Sequence, residues 1–165
     1  CAAHQAEEIV SCANFNAPTQ TVIAGHSAAV EAASAAAKEA GARVIPLKVS
    51  APFHCSLMSP AREGLAEALG SVTWGTSSFE VLANIDAEPR SDSASVAAAL
   101  LEQVDQPVQW VKTIETMRAR GVTHAFEIGP GRVLAGLAKR IAPELKVINI
   151  NKIAAFDKAA EIMGA

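Results

Sequence analysis

The sequence predicts an α/β protein with mostly parallel strand pairing. Two observations carry this. Short β-branched runs, such as "QTVIAG" and "LKVINI", alternate with longer segments whose apolar residues recur at helical spacing. Near the C-terminus, "THAFEI", "GPG", "RVLAGLAKRI" and "LKVINI" follow one another as strand, turn, helix and strand.

Taken in order, "CAAHQAEEIV" reads as helix, and Val10 to Asn16 as a short strand. "NAPT" (16–19) is a turn with Pro18 as its rigid corner, and "QTVIAG" is the next strand. From Ser27 to Ala40 the alanine-rich run is a strong helix former; Ser27 is placed to cap it, and Gly41 stands where a helix end favours positive φ. "ARVIPLKV" (42–49) reads as a further strand. After His54 a helix places Leu57, Met58, Ala61, Leu65, Ala68 and Leu69 on one face. Phe79 to Ile85 reads as a strand, "DAEPRSDS" as a polar turn, and Val96, Leu100, Leu101 and Val104 mark a helix. Pro107 ends it and can open the next, which carries Trp110, Ile114 and Met117. The helix after "GPG" is expected to turn Val133, Leu134, Leu137 and Ile141 inward, and the tail after the last strand is helical. The stretch from Lys48 to Pro52 is the candidate join between two units.

The 165 residues suffice for one domain with a real core, and half of them are apolar. Only 4% are aromatic, so the core must rely on close helix packing. A net charge of −3 with no basic cluster argues against a nucleic-acid groove. No apolar run is long enough for a membrane span, and no signal-peptide pattern is present. Cys1, Cys12 and Cys55 are too scattered for a disulfide framework or a zinc site, which fits a reducing cytoplasm. The chain starts at Cys1 inside a helical pattern, so it reads as a piece of a longer protein.

Three stretches are candidates for chemistry. In "AGHSAAV", Gly25 precedes Ser27 as in a nucleophile elbow, but Ala29 stands where the second glycine belongs; helix capping by Ser27 is the plainer reading. His54, in "VSAPFHCSLM", follows a proline and opens a helix. A histidine there can take and return a proton near neutral pH, or simply hold a structural hydrogen bond. "EIGPGRVL" sets two glycines before a helix N-terminus, which could cradle a phosphate or form a tight turn. Cys55 beside His54 reads as a small buried hydrophobe rather than a thiol nucleophile.

Taken together, "CANFNAPTQTVIAGH", "VSAPFHCSLM", "EQVDQPVQW" and "FEIGPGRVLAGLAKR", in this order and spacing, resemble the bacterial malonyl-CoA:acyl carrier protein transacylases of fatty acid synthesis. The acyltransferase domains of polyketide synthases are similar. The resemblance runs from about Glu7 to Ile150. It implies a partial ferredoxin-like subdomain over 1–49, followed by the C-terminal part of an α/β-hydrolase-like acyltransferase subdomain over 50–165. It implies ping-pong transfer of a malonyl group from coenzyme A to the phosphopantetheine thiol of acyl carrier protein, through a serine and a histidine. His54 matches the family's catalytic histidine, and the backbone carbonyl of Gln103 the group that orients it. Phe53 matches a position tied to acyl choice. Asn14 and Asn16 match positions beside the pantetheine arm. The family's nucleophilic serine, in G-H-S-x-G, and its malonate-binding arginine lie upstream of Cys1, so Ser27 is not the nucleophile. The implied partners are therefore malonyl-CoA, acyl carrier protein and the N-terminal half of the same enzyme, in the cytoplasm, with no cofactor, metal, nucleic acid or membrane. Acyl transfer in a polyketide pathway and a non-catalytic ferredoxin-like interaction module are the two rival readings.

Overall fold

A computed structural model describes residues 8–164, and it is a mixed α/β arrangement built from small sheets. The helix expected over the first ten residues falls on residues 1–7, outside the described residues, and Glu8 to Val10 are not helical.

The first unit is a hairpin and a helix. Strand β1 (Val10–Ala17) pairs antiparallel with β2 (Gln20–Gly25). Only Pro18 and Thr19 separate them, and a two-residue loop permits no other direction. Two bulges interrupt β1, between Cys12 and Asn14 and between Phe15 and Ala17. The buried residues are accordingly Val10, Ala13 and Ala17 rather than every second one. Gly25 is required by crowding: a Cβ there would lie 2.0 Å from the Ile9 carbonyl oxygen.

Helix α1 (Ser27–Glu39) has the expected length, but its N-cap is His26, and Ser27 is already its first residue. The capping comes from elsewhere in the chain. Glu8 Oε2 accepts from the Ala29 N–H at 3.2 Å, so the hydroxyl of Ser27 is not needed. The helix ends as expected, with Gly41 at φ 85 just past it. The strand expected over 42–49 is absent: this segment is irregular, with Ile45, Leu47 and Val49 more than half exposed. Its alternation is that of a strand, but no ladder partner is present among the described residues.

A short 3₁₀ turn (Ser56–Met58) leads into α2 (Ser59–Gly70). Leu57, Met58, Leu65 and Leu69 are half-buried as expected, while Ala61 and Ala68 are exposed. The strand expected over Phe79 to Ile85 is trimmed to β3 (Val81–Leu82), because the chain turns back at Ala83 to Ala87, held by Ala87 N–H to Ala83 C=O at 2.9 Å. The polar stretch then contains β4 (Pro89–Arg90), antiparallel to β3. Asp92 within it caps α3 (Ser93–Glu102), accepting from the Ser95 N–H at 2.8 Å. Val104, expected on this helix, lies beyond its end.

Pro107 does not open the next helix. α4 (Trp110–Ala119) starts three residues later, and Val108 first joins β1 as a parallel bridge. Val108 N–H donates to Ala13 C=O and Phe15 N–H to Val108 C=O, each at 2.8 Å. Strand β5 (His124–Ile128), helix α5 (Val133–Ile141) and strand β6 (Lys146–Ile150) follow, with α6 (Ala155–Met163) last. β5 and β6 are parallel, as a helical crossover requires. This is the one parallel pair of strands among the described residues. The expectation of mostly parallel pairing fails because the other two pairs are joined by short turns.

The core gathers Ile114, Ala138, Ala142 and Leu145, with Trp110, Met117, Ile141 and Val147 packed around them. On α5, Leu137 is buried and Ile141 half-buried, but Val133 is 70% exposed and Leu134 is exposed as well, against expectation. Both sit in the first turn; Leu134 lines a shallow cavity with Trp110, Ile114 and Met117 of α4 but stays open to solvent. No helix of the described residues is long and apolar enough to cross a membrane.

Candidate functional site

The site forms where the turn before α2 meets the end of α3. Pro52 to Cys55 make a tight turn. Cys55 is buried, and its S–H points back to the Pro52 carbonyl at 3.1 Å. Folding Cys55 inward leaves His54 at the third position of the turn with φ 62, a left-handed conformation that costs a non-glycine residue on the order of 1–2 kcal/mol. Ala87 adopts a similar φ of 64, so the strain by itself assigns no role; at His54 it motivates a functional hypothesis.

The ring of His54 is half-buried, and its Nδ1 lies 2.9 Å from the carbonyl oxygen of Gln103. Gln103 is the residue that ends α3; its own N–H is spent on the Ala99 carbonyl, while its carbonyl has no partner in the helix. A carbonyl oxygen only accepts, so Nδ1 carries the hydrogen, and the lone pair of Nε2 is left for another group. The arrangement can therefore accept a proton at one nitrogen while the other fixes the ring. Among the described residues no serine hydroxyl bonds to His54.

The segment after α3 is pinned on several sides. Asp105 is 8% exposed and accepts from Ser59 Oγ at 3.1 Å and from Arg62 Nη1 at 3.4 and 3.5 Å. Val108 is bonded to β1, and Gln109 N–H donates to Asn84 C=O at 2.7 Å. Gln103 also borders a mostly apolar, open cavity of about 230 Å³, lined with it by Leu82, Asn84, Arg90, Val96 and Leu100. Asp86 and Arg90 close one side of the β3–β4 turn in a 2.5 Å ion pair. The hydrogen bond from Arg90 holds the Asp86 carboxyl below the usual carboxylate range.

Of the other expected residues, Phe53 is next in chain to His54 and half-exposed. Asn14 and Asn16 lie half-buried on β1. Asn14 is the residue bridged to Val108, so β1 is linked to the segment that carries Gln103, but neither asparagine bonds to His54. Ser27 is exposed at the start of α1, and the Nδ1 of neighbouring His26 is occupied by the Ile9 N–H at 2.9 Å. The "GPG" turn cradles no phosphate: Glu127 Oε1 and Oε2 already accept from the N–H groups of Leu134 and Ala135 at 3.0 and 3.1 Å. Asn149 Nδ2 holds the same turn through the Gly131 carbonyl at 2.6 Å. No group of three or more His, Cys, Asp or Glu side chains among the described residues could hold a metal ion. Asp105, Ser59 and Arg62 were not expected at this site. Asp105 stands in plain view in "EQVDQPVQW", but nothing in the sequence joins it to residues more than forty positions earlier.

No protein-family model matches the chain. Among curated proteins it is 47% identical over 153 residues to a malonyl CoA-acyl carrier protein transacylase of Salmonella typhimurium, covering 92% of this chain and 50% of the relative. A protein of the same name from Haemophilus influenzae is 46% identical over 165 residues, covering 98% and 53%. Among solved structures, the acyl-carrier-protein S-malonyltransferase of Bartonella henselae superposes with a TM-score of 0.96 at 37% identity, over all of this chain and 53% of that one. A malonyl-transacylase solved with its type II polyketide synthase acyl-carrier protein gives 0.93 at 43% identity, over 98% and 53%. The chain spans about half the length of the relatives it matches.

Proposed function

The chain belongs to the malonyl-CoA:acyl carrier protein transacylase family, matching the C-terminal half of its members, and from that premise we propose that it supplies the general base of a malonyl transfer. The observation that carries the proposal is the His54 to Gln103 contact, made by a histidine held in a left-handed turn. In the first half-reaction, Nε2 of His54 takes the proton of a serine hydroxyl. That serine belongs to the part of the enzyme outside this chain. Its oxygen bonds to the thioester carbon of malonyl-CoA, the carbon–sulfur bond breaks, and the proton on Nε2 passes to the departing thiolate. In the second, the phosphopantetheine thiol of acyl carrier protein gives its proton to Nε2. Its sulfur bonds to the malonyl carbon, the ester bond to serine breaks, and the proton returns to the serine oxygen. Gln103 keeps Nε2 aimed throughout without adding a formal charge.

By this reading Phe53 borders the acyl group, Asn14 and Asn16 flank the pantetheine arm from β1, and the chain alone forms no acyl-enzyme. The reading also assigns residues 1–49 to a ferredoxin-like subdomain, residues 50–165 to a hydrolase-like one, and the protein to the cytoplasm. The bulged β1–β2 hairpin under α1 supports the first assignment. The likeness to a transacylase solved with a polyketide carrier favours one second reading, in which the same chemistry serves a polyketide carrier protein.

The test is His54→Ala in the complete enzyme. Transacylation should fall by about 10²–10⁴-fold while the fold survives. A folded variant with near-normal turnover would overturn the proposal.

A further inference from the structure

We propose that Asp105 is a positioning residue for His54, acting through the carbonyl of Gln103; the inference rests on the reading of His54 as the base. Two short segments meet at this site. One runs from His54 into the start of α2, and the other from Gln103 toward Pro107. Two polar links join them directly. The first is His54 Nδ1 to Gln103 C=O at 2.9 Å. The second is Asp105 to Ser59 Oγ at 3.1 Å, backed by Arg62 Nη1 at 3.4 and 3.5 Å. Asp105 lies two positions after Gln103, and Ser59 lies five after His54.

The chemistry explains why the second link can govern the first. The Gln103 carbonyl is an orphan at a helix end, and the three residues that follow it are turn and bend, not regular structure. The Val104 N–H in the same peptide plane reaches the Leu101 carbonyl at a long 3.4 Å, a weak hold, so the carbonyl's direction also depends on what fixes the stretch that follows. Val108 is fixed to β1, but it lies five positions away. Asp105 is two positions away and buried. A buried carboxylate stays where its donors are, because leaving them strands a charge out of water. The donors both sit on α2, the helix that His54 introduces, so the carboxylate ties the acceptor's segment to the ring's segment. The Ser59 hydroxyl has one hydrogen to divide between Asp105 and the Ser56 carbonyl at 2.8 Å. Arg62 supplies the additional donor that a carboxylate needs.

The test is nitrogen NMR of the complete enzyme labelled with ¹⁵N-histidine, with His54 assigned by its alanine variant. In the unmodified enzyme the Nδ1–H tautomer should dominate and that hydrogen should exchange slowly with water. Asp105→Ala should speed the exchange by about tenfold and mix the two tautomers, the size expected for loss of a hydrogen-bonded carboxylate. Asp105→Asn, which keeps an oxygen facing Ser59, should recover most of the protection. In the complete enzyme Asp105→Ala should lower kcat with KM unchanged. If Asp105→Ala does not fold, Ser59→Ala is decisive and should shift the exchange in the same direction by a smaller factor. Unchanged tautomer and exchange in whichever of these variants folds would make Asp105 a merely structural residue and overturn the inference. Because the exchange readout is independent of turnover, it stands even if His54→Ala shows that the ring is not the base.

Discussion

Replacing His54 by alanine and, separately, by glycine separates what the ring does from what the backbone endures. Both variants lose the imidazole and its bond to Gln103, so that loss cancels in the comparison. What remains is the left-handed turn at φ 62. Alanine keeps a Cβ and bears the conformational cost, on the order of 1–2 kcal/mol. Glycine escapes it but gives the unfolded chain more freedom, which returns about 0.5–1 kcal/mol. The difference leaves His54→Gly more stable than His54→Ala by roughly 0.5–1 kcal/mol, or about 2 °C in Tm for a chain of this size. Urea and thermal unfolding of the two variants measure it. If alanine proves equal to or more stable than glycine, the turn is not under strain, and the argument from backbone cost to function fails.

On the proposed reading the complete enzyme should prefer malonyl-CoA over methylmalonyl-CoA by roughly 10–200-fold, as a pocket discriminating one methyl group does, and Phe53→Ser should narrow the gap; kcat/KM for both thioesters checks this, and an unchanged ratio places the ring away from the acyl group. For the ion pair at the β3–β4 turn, the folded Asp86 carboxyl titrates below its unfolded value because of Arg90. Its contribution is therefore present above about pH 4 and is lost as the pH falls through the lower folded value. Comparing the acid unfolding of the unmodified chain and Arg90→Gln, the stability gap should be open at pH 6 and shrink below pH 4; a gap independent of pH would mean that the pair adds nothing through charge.

Much of the chain was legible because local chemistry decided it. The hairpin is specified by "NAPT", α1 by its alanines and Gly41, and the β5–α5–β6 unit by two β-branched runs around a helical one. Periodicity states which face is apolar but not what covers it, and so 42–49 shows a strand's alternation without a ladder. The same limit explains Val133 and Leu134. Capping was misread at Ser27 because the partner of the Ala29 N–H is Glu8, 21 residues upstream of Ala29. At the site, His54 and Gln103 were named from a resemblance, not from spacing. Their 49-residue separation, like the 46 residues between Ser59 and Asp105, gives no local sign of contact.

The bridge at Val108 has a mechanical consequence. It bonds the stretch after α3 to the middle of β1 in both directions, through Ala13 and Phe15. The stretch that follows the Gln103 carbonyl is thus anchored to the hairpin that carries Asn14 and Asn16. Two main-chain hydrogen bonds tie Val108, five positions after Gln103, to the hairpin, and the two cannot separate unless those bonds break.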